Sequence, residues 1–575
     1  MLGYWPIQAS PRAYRALDLS ADSRPFLPEH TTATSLAGVA ARAVNEGRHD
    51  ELLWLRGYHL ASDEWVAWTA GKLALVQNPD TSLWEQAARL RQAGLLRGYV
   101  LYHHDTSPGG AYHEREGLDE SANVATMIAA AAGDLLLVDE SLEHEAQAAG
   151  LPLVEDARGQ SPVVVLARLD GQLSCHGILA TDPVTPHMRD FAVAFRLPVV
   201  YGINDEYTTA IRRSYPNALV QGWNCGDESQ HTQPPTRLGL VHTASNWAWN
   251  LVFTAAGAGA IRPEPPPAPV FEPEAAPAGG YAAFLVSDGD NVQWTTGGFF
   301  RDSWWGSPLR GSVPVGWTMN GASLAQACPA ALARLFDTMT PNDDFVEYGG
   351  GYFYPDLFAV EREDRHAALV AHARMLAHRM PQGGSRVLGF ICKDVASPAS
   401  REAYEIFAEH IPSLAGMIAV QYAPYNGGHG NVYWVSNPAG ERIPVLTPRY
   451  ALWEHANWKG GGTPAAVAAM ANQHAAEASA AGEIPFSLVV VHAWSSFLET
   501  QDDDPRAEDV PRDAPPEARA RAQGTMPAIA WTARRLDPSI KVVTPEEMIW
   551  RLRHQDPRAN PQSPASAGHP EGTNP

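Results

Sequence analysis

Residues 282–291 read AAFLVSDGDN, an apolar run that leads directly into an acidic turn. A short apolar run of this kind predicts a strand that is buried on both faces. The DGD that follows has the residue types of a tight turn. The run LVVV at 488–491 has the same apolar character. These two stretches indicate a parallel sheet covered by helices on both sides.

The region after residue 280 alternates strand and helix patterns. The predicted strands are residues 282–287, 313–319, 344–348, 387–391, 417–422, 443–446, 487–492 and 540–543. The predicted helices are residues 323–339, 363–380, 401–410, 465–481, 515–535 and 545–553. Seven or eight β/α units over residues 281–553 predict a (β/α)7–8 barrel. An open doubly wound sheet would give the same pattern.

The chain before this region predicts two smaller α/β segments, so the fold class is α/β throughout. Residues 1–160 form one predicted domain and residues 161–260 a second, with strands at 163–167 and 199–202. Residues 261–280 read IRPEPPPAPVFEPEAAPAGG and predict an extended linker, because Pro excludes helix and central strand. The tail, 554–575, is rich in Pro, Ser and Gly and predicts disorder.

Composition narrows the functional class. A formal net charge of −22 disfavours nucleic acid and anionic membranes as partners and suits a neutral substrate. None of the four Cys lies in a CxxC pair, which argues against a zinc ribbon. No signal peptide or membrane span is visible, so we expect a cytoplasmic protein, or a secreted one if a leader has been removed. The oligomeric state is not encoded in any motif.

Acidic side chains stand at the ends of several predicted strands, where barrel enzymes carry their chemistry. The catalytic candidates are Asp288, Asp290, Glu347 and Asp394. The candidate substrate contacts near the same ends are Trp294, Asn320, Tyr352, Tyr354, Arg449, Trp453, His492 and Trp494.

Carboxylates that converge from different strands are what glycosidic cleavage requires. One must be protonated to protonate the leaving oxygen, and another must be ionised to attack the sugar or activate water. We take Asp290 and Glu347 as the working pair. Each candidate also has a simpler interpretation: Asp288 and Asp290 could form a turn or a divalent cation site, and Asp394 could pair with a neighbouring cation.

The stretch GGGYFYP at 349–355 fits the pattern GxGYxYP at every fixed position. With SDGDN after the first apolar strand and VHAWS at the seventh, it resembles the GxGYxYP glycoside hydrolase family. The resemblance implies a barrel and a sugar substrate. We expect no cofactor, apart from the divalent cation that Asp288 and Asp290 could hold. Tyr352 and Tyr354 alternate, so they would project to the same side of an extended segment, as a stacking wall or as a lock on the loop.

Two alternatives stay open. One is a metal-dependent polysaccharide deacetylase, because an Asp-Gly-Asp after the first strand resembles the start of such barrels. That chemistry uses Zn²⁺ with His ligands, and no HxxxH pair follows the second strand. The other is a non-catalytic carbohydrate-binding protein, which would keep the aromatic residues without needing the acids.

Overall fold

The computed structural model describes residues 4–19, 28–56, 63–105, 117–453, 455–456, 458–495, 497 and 525–555. The predicted helix at 515–535 is seen from Thr525 onward, and its first part lies outside the described residues. Most of the predicted tail lies outside them as well.

Two small parallel sheets come first along the chain. The elements of the first are β1 (Ala13–Asp18), α1 (Pro28–Asn45), β2 (Glu51–Arg56), α2 (Asp63–Leu73), β3 (Val76–Thr81) and α3 (Leu83–Gln92). Its strand order is β2-β1-β3. The elements of the second are β4 (Gly98–Tyr102), α4 (Ser121–Ala132), β5 (Leu135–Asp139), α5 (Glu143–Ala148) and β6 (Leu153–Asp156), with strand order β5-β4-β6.

A third parallel sheet forms the middle segment, which later covers the candidate site. Its elements are α6 (Pro162–Arg168), β7 (Gly177–Ala180), α7 (Arg189–Phe195), β8 (Val199–Val200), α8 (Asp205–Arg213), β9 (Leu219–Gly222), α9 (Glu228–Arg237), β10 (Val241–Thr243) and α10 (Leu251–Thr254). The strand order is β10-β9-β7-β8, and every ladder is parallel.

The strand predicted at 163–167 is wrong, because these residues belong to helix α6. Ser161 occupies the N-cap and Pro162 the first helical turn, where Pro is well tolerated. Val165 and Leu166 are buried while Val164 is exposed, which is a one-sided burial that suits a surface helix. A short apolar run does not distinguish the two structures by itself.

The C-terminal region builds one large, mainly parallel sheet. Its strands are β11 (Tyr281–Val286), β12 (Val315–Met319), β13 (Asp343–Glu347), β14 (Val387–Cys392), β15 (Gly416–Gln421), β16 (Val432–Ser436), β17 (Arg442–Leu446), β18 (Tyr450–Leu452), β19 (Gly461–Gly462), β20 (Phe486–Val491) and β21 (Lys541–Val542). Its helices are α11 (Val292–Gly297), α12 (Gly321–Ala327), α13 (Pro329–Thr338), α14 (Arg365–Arg379), α15 (Pro398–His410), α16 (Pro464–Ala480), α17 (Thr525–Arg535) and α18 (Pro545–Gln555).

This sheet is curled. The order along it is β16-β17-β15-β14-β13-β12-β11-β20-β18-β19, with β21 beside β11. Strands β17 and β18 lie near opposite ends of that path, yet only residues 447–449 separate them in sequence, so the sheet must bend to bring its ends together. All eight predicted strands are present, and the α/β class is confirmed. A closed barrel is not confirmed, because the hydrogen-bonded path of the described strands keeps two ends.

The Pro-rich residues 262–276 contain neither helix nor strand. They run beside the last helix, where the backbone oxygen of Glu272 accepts a hydrogen bond from Arg551 at 2.8 Å. None of the helices in the described part of the chain is long and apolar enough to cross a membrane.

Candidate functional site

A cavity of about 540 Å³ lies between the curled sheet and the middle segment. The curled sheet contributes residues at or after the ends of its strands: Leu285, Ser287, Asp288, Asp290, Asn291, Gln293, Thr318, Tyr348, Tyr352, Ile391, Val420, Tyr425, Val490, His492 and Trp494. The middle segment contributes Trp223, Glu228, Thr232, His242, Ala244, Asn246 and Trp247. Pockets at the carboxyl ends of parallel strands are where α/β proteins bind their ligands.

The acidic turn after β11 is held in place by the curled sheet and by the middle segment. Gly289 donates its N–H to Thr318 Oγ1 at 2.9 Å, and a Cβ at this position would lie 2.0 Å from the Thr318 carbonyl oxygen, so only Gly fits. From the middle segment, the Thr243 hydroxyl donates to the backbone oxygen of Asp290 at 2.7 Å. These contacts fix the two aspartates that flank Gly289 at the cavity wall.

Asp288 is oriented by two donors. Its Oδ1 accepts a hydrogen bond from the indole N–H of Trp494 at 3.0 Å, and its Oδ2 accepts one from the hydroxyl of Ser287. Its backbone adopts the left-handed conformation, with φ of 67°. Donors of this kind stabilise the negative charge of a carboxylate.

Asp290 lies where burial and neighbouring carboxyl groups disfavour its negative charge. Burial raises its pKa well above the ordinary value, and the nearby charges of Asp288 and Glu228 raise the pKa further. Because like charges cannot share one small site without cost, Asp290 favours its protonated form beside Asp288 and Glu228.

Glu228 completes this carboxylate group, and sequence reasoning missed it. It is the first residue of α9, after a capping box in which Asp227 accepts the N–H of Gln230 at 2.8 Å. Burial raises the pKa of Glu228 to about 7, with a further increase from Asp288, while hydrogen bonding to Tyr352 and the charge of Lys393 lower it. The D-E-S-Q sequence predicts a helix start, but an acidic first turn is ordinary in helices and does not indicate a site.

Two stretches of the chain match one family. Residues 280–502 match the GxGYxYP putative glycoside hydrolase C-terminal domain, and residues 96–171 match the GxGYxYP_N second domain. Together they cover just over half of the 575 residues. The chain belongs to the GxGYxYP family. The recognition from the 349–355 motif is thereby confirmed.

A solved structure shares the fold of this GxGYxYP protein. It is the crystal structure of a putative hydrolase from Bacteroides thetaiotaomicron VPI-5482, with a TM-score of 0.73 and 19% sequence identity over 96% of each chain. The match therefore extends over the middle segment and the curled sheet alike. No curated protein matches the chain.

The motif that names the GxGYxYP family joins the two layers of the site. Tyr352 exchanges backbone hydrogen bonds with His242 of β10, at 2.6 and 2.9 Å. The hydroxyls of Tyr352 and Tyr354 lie 3.1 Å apart, and Tyr352 also hydrogen-bonds to Glu228. Tyr352 lines the cavity, while Tyr354 is fully buried and does not. The motif thus holds Glu228 in place and supplies part of the wall.

Glu347, the other half of the predicted pair, is placed differently. Its Oε1 accepts the N–H of Gly350 at 2.8 Å and its Oε2 accepts the N–H of Ala322 at 2.9 Å. Burial raises the pKa of Glu347 to about 7, and these backbone donors lower it. The side chain is buried and does not line the cavity. Its contacts pin the motif turn to the start of α12.

Two more predicted polar residues lie at helix starts and not on the cavity. Asp394 is exposed and accepts the N–H of Ala396 at 2.8 Å, just before α15. Asn320 caps α12 by accepting the N–H of Ser323 at 3.3 Å. Arg449 precedes β18, away from the lining.

The predicted aromatic residues form two layers. Trp494 and Trp247 of the middle segment both line the cavity. They are 44% and 52% exposed, respectively, so both stand at its mouth. Trp294 is buried behind Trp494, with ring centroids 5.0 Å apart. Trp453 stacks on His492, a lining residue, at 4.5 Å. The cavity therefore brings together five of the predicted site residues: Asp288, Asp290, Tyr352, His492 and Trp494.

Metal ligation was the distinguishing feature of the deacetylase alternative. Within the described ranges, no group of three or more His, Cys, Asp or Glu side chains is arranged to hold a metal ion.

Proposed function

We propose that this protein hydrolyses O-glycosidic bonds, with Glu228 as the proton donor and Asp288 as the ionised carboxylate. The observation that carries the proposal is that Glu228, Asp288 and Asp290 line one cavity with aromatic walls. The family description and the hydrolase neighbour support the same reaction class at a coarser level.

The proton donor must keep its proton near neutral pH and still release it. Glu228, whose pKa burial raises to about 7, meets both conditions. It would protonate the glycosidic oxygen as the bond from that oxygen to the anomeric carbon breaks. The departing sugar then leaves as a neutral alcohol.

The ionised carboxylate acts at the anomeric carbon. Asp288, oriented by the Trp494 indole and the Ser287 hydroxyl, would either bond to that carbon or take a proton from an attacking water. Water supplies the hydroxyl of the product in both cases. In this scheme Glu228 replaces Glu347 of the sequence-based pair, because Glu347 points to backbone amides and not to the cavity.

Asp290 has a supporting role. Its raised pKa keeps it protonated beside Asp288, so that the group of acids carries less negative charge than three carboxylates would. A neutral carboxylic acid both donates and accepts hydrogen bonds, which suits contact with sugar hydroxyls. Trp247 and Trp494 at the mouth offer flat faces for the next sugar ring.

A hydrolysis screen tests the proposal. Wild-type protein and the Asp288→Asn and Asp290→Asn variants are incubated with a panel of glycans and aryl glycosides, with and without a chelator. We expect reducing-end release that survives the chelator and is lost in Asp288→Asn. Acetate release that the chelator abolishes would instead establish a metal-dependent deacetylase. Sugar binding without any hydrolysis would establish a binding protein.

A further inference from the structure

The cavity is lined by acidic side chains and by two imidazoles, those of His242 and His492. Three carboxyl groups line it, whereas none of the described lining residues is Lys or Arg. Burial lowers the pKa of His242 well below its ordinary value, so that imidazole is neutral. The cavity therefore offers an anionic ligand no fixed positive charge among these residues.

The positive charge of Lys393 lowers the pKa of Glu228, but its ammonium group contacts residues behind the cavity wall. Its Nζ donates to Ser229 Oγ at 2.8 Å and lies 3.7 Å from the ring of Tyr422 and 4.5 Å from the ring of Tyr354. Lys393 itself does not line the cavity. It partly offsets the charge of Glu228 without presenting a donor to the ligand.

Hydrolysis of a glycoside needs two carboxyl groups, and this cavity has three. The surplus carboxyl is available to accept hydrogen bonds from the ligand. The net charge of −22 adds a repulsive field of the same sign around the whole protein.

We propose that the cavity selects a sugar unit that presents hydroxyl or ammonium donors and bears no anionic group. Uronic acids and sulfated or phosphorylated sugars are disfavoured by the acidic lining, because no Lys or Arg on the described cavity wall pairs with their negative charge. The assignment of the ligand as a sugar rests on the proposed function, whereas the selection by charge rests on the lining.

Direct binding tests this without requiring turnover. Glucose, galactose and mannose are each compared with their 2-amino and uronic acid counterparts by calorimetry at pH 7 and low salt. In any set that binds, we expect the neutral or amino sugar to bind at least about tenfold more tightly than the uronate, because like charges repel strongly at a desolvated site. Added salt should narrow the gap, since it screens charge repulsion.

A double variant, Glu228→Gln with Asp288→Asn, removes charge with little change in shape. We expect the uronate to gain affinity relative to the neutral sugar, so that the ratio of the two affinities, neutral sugar to uronate, falls severalfold. Glu405→Gln, which removes an exposed carboxylate of α15 away from the cavity, is the matched control and should leave the ratio unchanged. If the double variant does not fold, the wild-type ratio and its salt dependence still decide.

The failures of the two proposals are distinguishable. A uronate that binds as tightly as its neutral counterpart overturns the charge selection, whether or not glycosides are hydrolysed. Selective binding of a neutral sugar whose glycosides stay intact overturns the hydrolase proposal and leaves the charge selection standing. Failure of every sugar to bind overturns the selection too, because it removes the ligand class.

Discussion

Glu347 is buried and Glu228 is half-buried, and the pKa values of both are raised to about 7 by desolvation, yet they occupy different kinds of site. Glu347 gives its two carboxylate oxygens to the backbone N–H groups of Ala322 and Gly350. Glu228 faces an open cavity, beside Asp288 and hydrogen-bonded to Tyr352. One carboxylate holds the fold together, and the other is accessible to a ligand.

The comparison teaches that a raised pKa does not identify a catalytic residue. Burial alone raises the pKa of a carboxyl group, whether the group is structural or functional. The surroundings decide the role: Glu347 does not line the cavity, whereas Glu228 reaches it from the first turn of α9. The contrast can be tested from either side.

The largest effect should come from the group that faces Glu228. Asp288→Asn removes the ionised carboxylate but keeps its shape, and we expect hydrolysis to fall by at least about 10⁴-fold, as when a nucleophile or base is lost. Initial rates on the best substrate of the screen measure this, with circular dichroism as the folding control. A loss below about tenfold would remove Asp288 from the mechanism.

Exchanging each glutamate for its amide should separate the two sites. Glu228→Gln is expected to lower hydrolysis of a glycan by about 10²–10⁴-fold, since a general acid is lost, with little loss of stability. Glu347→Gln should lower the free energy of unfolding by about 1–3 kcal/mol, because an amide NH₂ cannot accept the backbone N–H that Glu347 now accepts. Its rate per folded molecule should stay within about tenfold of wild type. Denaturant titration with rate measurement compares both, and the reverse pattern would contradict the assignment.

The acidic turn could be predicted from the sequence, and Glu228 could not. Residues 282–291 show a buried strand followed by Asp288 and Asp290, and strand ends are where such sheets carry chemistry. Glu347 also follows a strand, but the sequence does not tell which way the side chain turns. Glu228 comes from a different layer, about 60 residues before the turn, so no local pattern links it to the aspartates.

The sequence likewise predicts some parts of the fold and not others. The alternation of strands and helices predicted eight of the eleven described strands of the curled sheet and missed β16, β18 and β19. The short apolar run at 163–167 was ambiguous, and its helix is decided by Ser161 and Pro162 at the start. Whether the sheet closes into a barrel depends on pairing between the strands at the two ends of its path, on either side of residues 447–449. Hydrophobic periodicity does not predict such pairing.

The hydrogen bond between Tyr352 and Glu228 should appear in the pH profile. A proton donor is active only when protonated, so kcat/KM of the wild type should fall as the pH rises through about 7. The bond from Tyr352 lowers the pKa of Glu228, and therefore Tyr352→Phe should move this limb to higher pH. Tyr354→Phe, which removes a hydroxyl that does not line the cavity, is the control and should shift the limb less. If the limb does not move in Tyr352→Phe, the titration seen in the pH profile is not that of Glu228.

The smallest effect is expected at the mouth of the cavity. Trp247→Ala should raise KM by about two- to tenfold with little change in kcat, because one stacking face is lost. Trp434→Ala, at a partly exposed Trp of β16 outside the lining, should leave both constants unchanged. Equal effects in the two variants would argue against a sugar platform at Trp247.

If Glu228 donates the proton, the effect of removing its carboxyl group should depend on the leaving group of the substrate. A 2,4-dinitrophenyl glycoside releases 2,4-dinitrophenolate, a stable anion that needs no proton to leave, whereas a sugar leaving group does need one. We predict that Glu228→Gln loses about 10²–10⁴-fold on a glycan but less than about tenfold on the dinitrophenyl glycoside of the same sugar. Equal losses on both substrates, or no loss on the glycan, would contradict the role assigned to Glu228.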